Sequence, residues 1–114
     1  VKIRFRFTAS STNGCTLSIK LKNALSTNLG KNEIEFETSA SDTEISVSTS
    51  KTYEMSTETL LLKMSNTTGD YIATTNDTGS EIKYELLITS TNDIGLSNMK
   101  MFIELTPYNE SYVN

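Results

Sequence analysis

Apolar and polar residues alternate along much of this chain, and this period of two restricts its fold more than any other feature. In the first nine residues, apolar side chains occupy positions 1, 3, 5 and 7, and bases fall between them. Because side chains point to opposite faces along a strand, the pattern predicts a strand with one dry and one wet face. The apolar residues are Val1, Ile3, Phe5 and Phe7, and the bases are Lys2, Arg4 and Arg6.

The same alternation returns after each cluster of turn residues. A second strand is predicted from Cys15 to Leu21, and the clearest one runs from Glu81 to Thr89. We expect the latter to pair with a strand from Asn98 to Thr106 through a turn at 91–95. The segment 23–30 fits either a short helical turn or a loop. About eight short strands in all are typical of a sandwich or a barrel.

Length and composition indicate one folded domain over residues 1–114. The chain has the commonest domain size, with 36% hydrophobic and 21% charged residues. It is rich in Ser, Thr and Asn and contains a single proline, which suits strands joined by polar turns. The fold class predicted from residues alone is therefore all-β.

The balance of charge and hydrophobicity excludes two classes of partner. A net charge of −4 and a pI near 4.8 argue against nucleic acid, because phosphate binding requires clustered bases. The three bases of the first strand are expected to form a solvated face or to guard a sheet edge. No apolar stretch is long enough to span a membrane.

The residues that usually carry catalysis are missing from the sequence. There is no histidine, which removes the commonest general base and metal ligand. One cysteine does not make a zinc site, and the five glycines stand apart in separate turns. We therefore predict no enzymatic activity, no cofactor and no metal. Cys15 alternates with Leu17, Ile19 and Leu21, so we expect it to be a buried small hydrophobe.

The chain begins at Val1 without a charged and apolar leader, as a mature chain does after removal of a signal peptide. We therefore expect a secreted or cell-surface location.

An alternating N-terminal segment followed by a cysteine-bearing strand resembles the layout of bacterial fimbrial (pilus) subunits of the chaperone–usher type. The match lies in residues 1–9 and in the segment 12–19, which is similar to the family's first core strand. The resemblance implies an antiparallel immunoglobulin-like β-sandwich that lacks its last strand. A neighbouring subunit then completes it by donating a strand. Residues 107–114 show no convincing alternation, as expected of an incomplete sandwich.

The leading functional prediction is a structural or adhesive subunit of a surface fibre assembled by β-strand addition. Residues 1–9 are the candidate donor or first edge strand, with Val1, Ile3, Phe5 and Phe7 as its assembly residues. The partners would be neighbouring copies or other fibre subunits, and a host receptor in an adhesive role. The alternative is a free-standing recognition domain that binds protein or glycan through its loops. Its candidate contacts are the aromatic residues Tyr53, Tyr71, Tyr108 and Tyr112.

Overall fold

A computed structural model describes residues 1–24, 30–63, 69–73 and 83–105, which form strands and connections and contain no helix. The all-β class is thus confirmed. None of these residues belongs to a helix that could cross a membrane. The strands are β1 (Lys2–Ser10), β2 (Cys15–Asn23), β3 (Glu33–Glu35), β4 (Glu44–Val47), β5 (Lys51–Ser56), β6 (Leu61–Lys63), β7 (Tyr71–Ala73), β8 (Tyr84–Ser90) and β9 (Gly95–Glu104).

Sheet A is antiparallel and has the order β5-β1-β9, with the N-terminal strand in its centre. Phe5 lies opposite Met55 of β5 and Met101 of β9. The ladder to β5 continues past the strand end, where Thr57 N–H donates to the carbonyl of Ile3 at 2.9 Å. Both edges of β1 are therefore satisfied by the same chain.

Sheet B is built on β2 as sheet A is built on β1. β8 pairs antiparallel with one edge of β2, from Leu17 opposite Ser90 to Asn23 opposite Tyr84. The other edge is shared by two short strands, because β4 pairs with the first half of β2 and β3 with the second half. A small parallel pair, β6 and β7, completes the described strands.

The two sheets share one apolar core. Alternate residues of the two central strands point into it, and Phe7 of β1 and Leu17 of β2 are completely buried there. Cys15 is buried and unbonded in this core, as predicted. The completely or nearly completely buried large side chains are Phe7, Phe36, Leu17, Ile19, Ile34, Met55 and Val47.

Three predictions about the neighbours of strands need correction. Residues 1–9 do not form an edge strand, because β1 has β5 on one side and β9 on the other. Lys2, Arg4 and Arg6 therefore do not guard an edge. β8 does not pair with β9: the turn between them crosses from sheet B to sheet A. Most of the ambiguous segment 23–30 lies outside the described residues.

The position of β1 makes a sharp prediction for Phe5→Asp. Phe5 is only 3% exposed. Loss of a buried Phe costs about 3–5 kcal/mol, and a buried unpaired carboxylate adds more, against a typical domain stability of about 5–15 kcal/mol. We expect the isolated chain to unfold, as measured by circular dichroism and urea titration. Thr8→Asp on the other face of β1 is the matched control and should stay folded. A folded Phe5→Asp chain would contradict this core.

Candidate functional site

One side of the sandwich is closed by a strand segment that passes from sheet B to sheet A. After β3, Phe36 donates its N–H to the carbonyl of Ile19 in sheet B at 3.0 Å. The next residue, Glu37, exchanges two backbone hydrogen bonds with Ser56 of sheet A, each 2.8 Å long. Phe36 is completely buried at this corner. The core is therefore sealed along this seam.

The opposite side, between β8 and β9, is open as far as the described residues show. β8 is the edge of sheet B and β9 is the edge of sheet A, and no described strand pairs with the outer edge of either. We call the gap between these two strands the open seam. At one end it is fixed by the turn between β8 and β9, where Ser11 Oγ donates to the carbonyl of Asp93 at 2.7 Å.

The side chains of β9 that face the core side are left in contact with solvent. Met101 lies directly opposite Phe5, and Ile103 lies opposite Ile3, so each pair shares a face of sheet A. Phe5 and Ile3 are 3% and 8% exposed, whereas Met101 and Ile103 are 43% and 62% exposed. On the core side of sheet A, burial thus falls sharply from the residues of β1 to their neighbours on β9. β9 presents an apolar face that nothing among the described residues covers.

β8 borders the open seam from the other sheet. Its residues opposite Ile19 and Leu21 of β2 are Ile88 and Leu86, which are half-buried against the core. Tyr84 is also half-buried, and its hydroxyl donates to the carbonyl of Lys31 at 3.2 Å. Burial raises the pKa of this hydroxyl. The floor of the seam is therefore apolar on both sheets.

A β-bulge marks the start of the exposed part of β9. The pairing with β1 shifts between Arg6 opposite Lys100 and Thr8 opposite Ser97. Asn98, which lies in the bulge, has a φ of 50°, a left-handed conformation that Asn tolerates better than most residues. Beyond the bulge, the register from Lys100 to Glu104 is regular.

The outer face of sheet A carries a charge ladder across its three strands. Arg4 of β1 forms ion pairs with Glu54 of β5 at 2.9 Å and with Glu104 of β9 at 2.6 Å. Arg6 reaches the same Glu54 at 3.3 Å. Both guanidinium groups stack over the ring of Phe102, at 4.9 and 5.1 Å from its centre. The hydrogen bond from Arg4, with help from Arg6, lowers the pKa of Glu54.

The predicted assembly residues all lie in the chain's own core. Ile3, Phe5 and Phe7 are buried, and Val1 packs against the same cluster. Exchange of this strand between copies stays a prediction, and it would require both ladders of β1 to break.

The two predicted aromatic contacts that lie among the described residues show little free ring surface. Tyr53 stacks on Phe7 with ring centres 5.8 Å apart, and Tyr71 is only 6% exposed. Tyr108 and Tyr112 lie outside the described residues.

The described residues contain no group of three or more His, Cys, Asp or Glu side chains placed to hold a metal ion. A depression of about 440 Å³ is lined by Gly14, Cys15, Thr16, Ser46, Val47, Ser48 and Thr91.

Sequence reasoning missed the outer edge of β9 as a candidate site. The alternation predicts that Met99, Met101, Ile103 and Leu105 point inward, and Met101 and Ile103 do lie on the core side. What the alternation cannot show is that the facing layer stops before it reaches them. The only signal in the sequence was that the long alternating segment from Asn98 to Thr106 had one predicted pairing partner and no candidate for a second.

Comparisons of the chain with protein-family models, curated proteins and solved structures found no match.

The charge ladder predicts an acid-dependent contribution from Glu54. Because its folded pKa lies below the ordinary value of 4.5, its stabilising effect is present above that value and is lost as pH falls through the lowered pKa. Glu54→Gln should be less stable than the parent near neutral pH, and the difference should shrink in acid. Urea unfolding at a series of pH values measures it. Glu44→Gln, at an exposed position of β4, is the control. A constant difference from neutral pH to strong acid would contradict the ladder.

Proposed function

We propose that this chain is a structural or adhesive subunit of a surface fibre, and that it assembles by accepting a strand at the free edge of β9. The observation that carries the proposal is the exposure of Met101 and Ile103 on the core side of sheet A. Leaving apolar surface in water costs about 25 cal/mol per Å². A strand added beside β9 would cover these side chains and extend the core.

The shape of the edge favours a strand as the occupant. β9 is 10 residues long, against about 5–6 for a common strand, and the described residues leave its outer edge unpaired. Such an edge offers a row of backbone donors and acceptors, which give affinity in strand addition. Alternate side chains of the incoming strand would provide specificity by entering the open seam.

The contacts of β1 indicate what sequence an incoming strand should have. On its paired edge, β9 already accepts a strand with apolar residues opposite Met101 and Ile103. That strand also places Arg4 over the ring of Phe102 and beside Glu104. A donor with alternating apolar and basic residues would repeat both sets of contacts on the free edge. Since β1 itself is held by two neighbours, the donor should come from another subunit.

The immunoglobulin-like form of the sandwich and its location at the cell surface belong to the same proposal. An incomplete sandwich of that kind would have one seam sealed and one open. In support, backbone hydrogen bonds at Glu37 seal one side of this core, and the described strands leave the side between β8 and β9 open.

The proposal is tested with a fluorescent peptide that copies residues 1–9. We expect saturable binding to the dilute full chain by fluorescence anisotropy, with NMR shift changes centred on β9. A peptide of the same composition without alternation should bind at least roughly tenfold more weakly, because strand addition needs one apolar face.

Two variants of the chain locate the binding. Ile103→Glu should weaken peptide binding, because it places a charge on the core side of the free edge. Leu87→Glu is the matched control: Leu87 is also exposed, but it lies opposite Lys20 on the outer face of sheet B. Equal binding of both peptides, or an equal loss in both variants, would contradict strand addition at β9.

A further inference from the structure

We infer that the strand taken up by the free edge in a solution of this chain alone is β9 of a second copy, paired antiparallel about a two-fold axis at Phe102. The inference rests on the proposed function, in that the edge must accept a strand. It goes further by naming the partner and the register.

The register about Phe102 brings apolar residues together on the core side. An antiparallel pair centred on position 102 places Met101 opposite Ile103 of the second copy, and Ile103 opposite Met101. These are the exposed core-side residues of β9. The next positions outward, Met99 and Leu105, are also apolar and exposed. Each of the positions 99, 101, 103 and 105 in one copy therefore lies opposite an apolar residue of the other copy.

The same register brings opposite charges together on the outer face. Lys100 falls opposite Glu104 of the second copy, and the symmetry repeats this pair at the other end. Between the two pairs, Phe102 faces its own counterpart. Opposite charges and aromatic rings directly across an antiparallel pair are stabilising. One short segment is thus complementary to itself on both faces, as a two-fold interface requires.

Neighbouring registers lack this match. A shift by one residue would place core-side residues opposite solvent-side residues, because the side-chain period of a strand is two. A two-fold pair centred on Met101 would place Lys100 opposite Phe102 and Glu104 opposite Asn98. A pair centred on Ile103 would place Glu104 opposite Phe102. Neither alternative retains a Lys–Glu pair, so charge selects the axis at Phe102.

The resulting dimer would join two three-stranded sheets into one of six, in the order β5-β1-β9-β9-β1-β5. It would cover the exposed long edge of β9, which is otherwise a site for uncontrolled pairing. The β-bulge at Asn98 lies outside the segment 100–104, so the regular part of β9 would form the interface.

Two charge-reversal variants test the register. Lys100→Glu would set two carboxylates against each other at both ends of the paired segment, and Glu104→Lys would set two ammonium groups against each other there. Each variant alone should dimerise at least roughly tenfold more weakly than the parent, since two ion pairs become two repulsions. A one-to-one mixture brings opposite charges together again at both ends and should form heterodimers in preference to either homodimer. Sedimentation equilibrium measures the association, and circular dichroism confirms folding.

The mixture is the internal control for damage to either monomer. In the heterodimer, the lysines at positions 100 and 104 of one copy meet the glutamates at positions 104 and 100 of the other, so both ends carry an opposite-charge pair. Glu104 also forms an ion pair with Arg4 in its own chain, so Glu104→Lys alone loses that contact. Recovery of association with Lys100→Glu would show that the variant is folded and that the lost interaction lies between copies.

Several results would overturn the inference. A parent chain that is monomeric at all concentrations would do so, and so would open-ended oligomers in place of dimers or a mixture of the two variants that does not associate. If the peptide of residues 1–9 still binds at β9, the proposed function stands and only the second copy is rejected. If the peptide also fails to bind, both proposals fall.

Discussion

The structure depends on burial of the apolar face of β1 against that of β2. Each strand is the centre of its sheet, and their inward side chains are buried, Phe7 and Leu17 completely. The two strands are separated by a short turn that contains Gly14, whose φ of 75° suits the left-handed turn conformation that glycine adopts freely. The first 23 residues thus supply the middle of both layers. The other strands add to this pair from either side.

The core is sealed on one side of that central pair, whereas the described residues leave it open on the other. The proposed function rests on this difference. On one side, the segment that follows β3 reaches β5, and the backbone hydrogen bonds between Glu37 and Ser56 seal the core. On the other, β8 and β9 diverge into separate sheets and leave Met101 and Ile103 exposed. A folded domain normally shields a long apolar edge. The described residues leave the outer edge of β9 unpaired, and we propose that another strand covers it.

The alternation of residues predicted most of the strands, because it follows directly from strand geometry, but it missed β5. It also gave the faces correctly for β1, whose apolar residues are buried and whose bases point outward to Glu54 and Glu104. It did not predict which strands are neighbours. The turn at 91–95 is compatible with a hairpin or with a crossing between sheets, and local sequence does not distinguish the two. For the same reason, neither the central place of β1 nor the free edge of β9 was foreseen.

The location of the candidate site could not be predicted from the sequence. Strand addition was inferred from the alternating residues 1–9, but the structure places them in the core of their own chain. The edge that we propose as the acceptor is β9, where the exposed apolar residues look no different in sequence from buried ones. Exposure depends on the extent of the opposite layer, which is a property of the whole fold.

The measurement that tests the open seam most directly is amide hydrogen exchange along β9, at a concentration where the chain is monomeric. In an edge strand, every second amide points toward the neighbouring strand and the others point outward. Because β9 is paired on one edge only, we expect alternating slow and fast exchange from Lys100 to Glu104. Because β1 is paired on both edges, we expect slow exchange at successive amides from Arg4 to Phe7. Uniformly slow exchange along that part of β9 in the monomer would show that its outer edge is already paired, and would contradict the account.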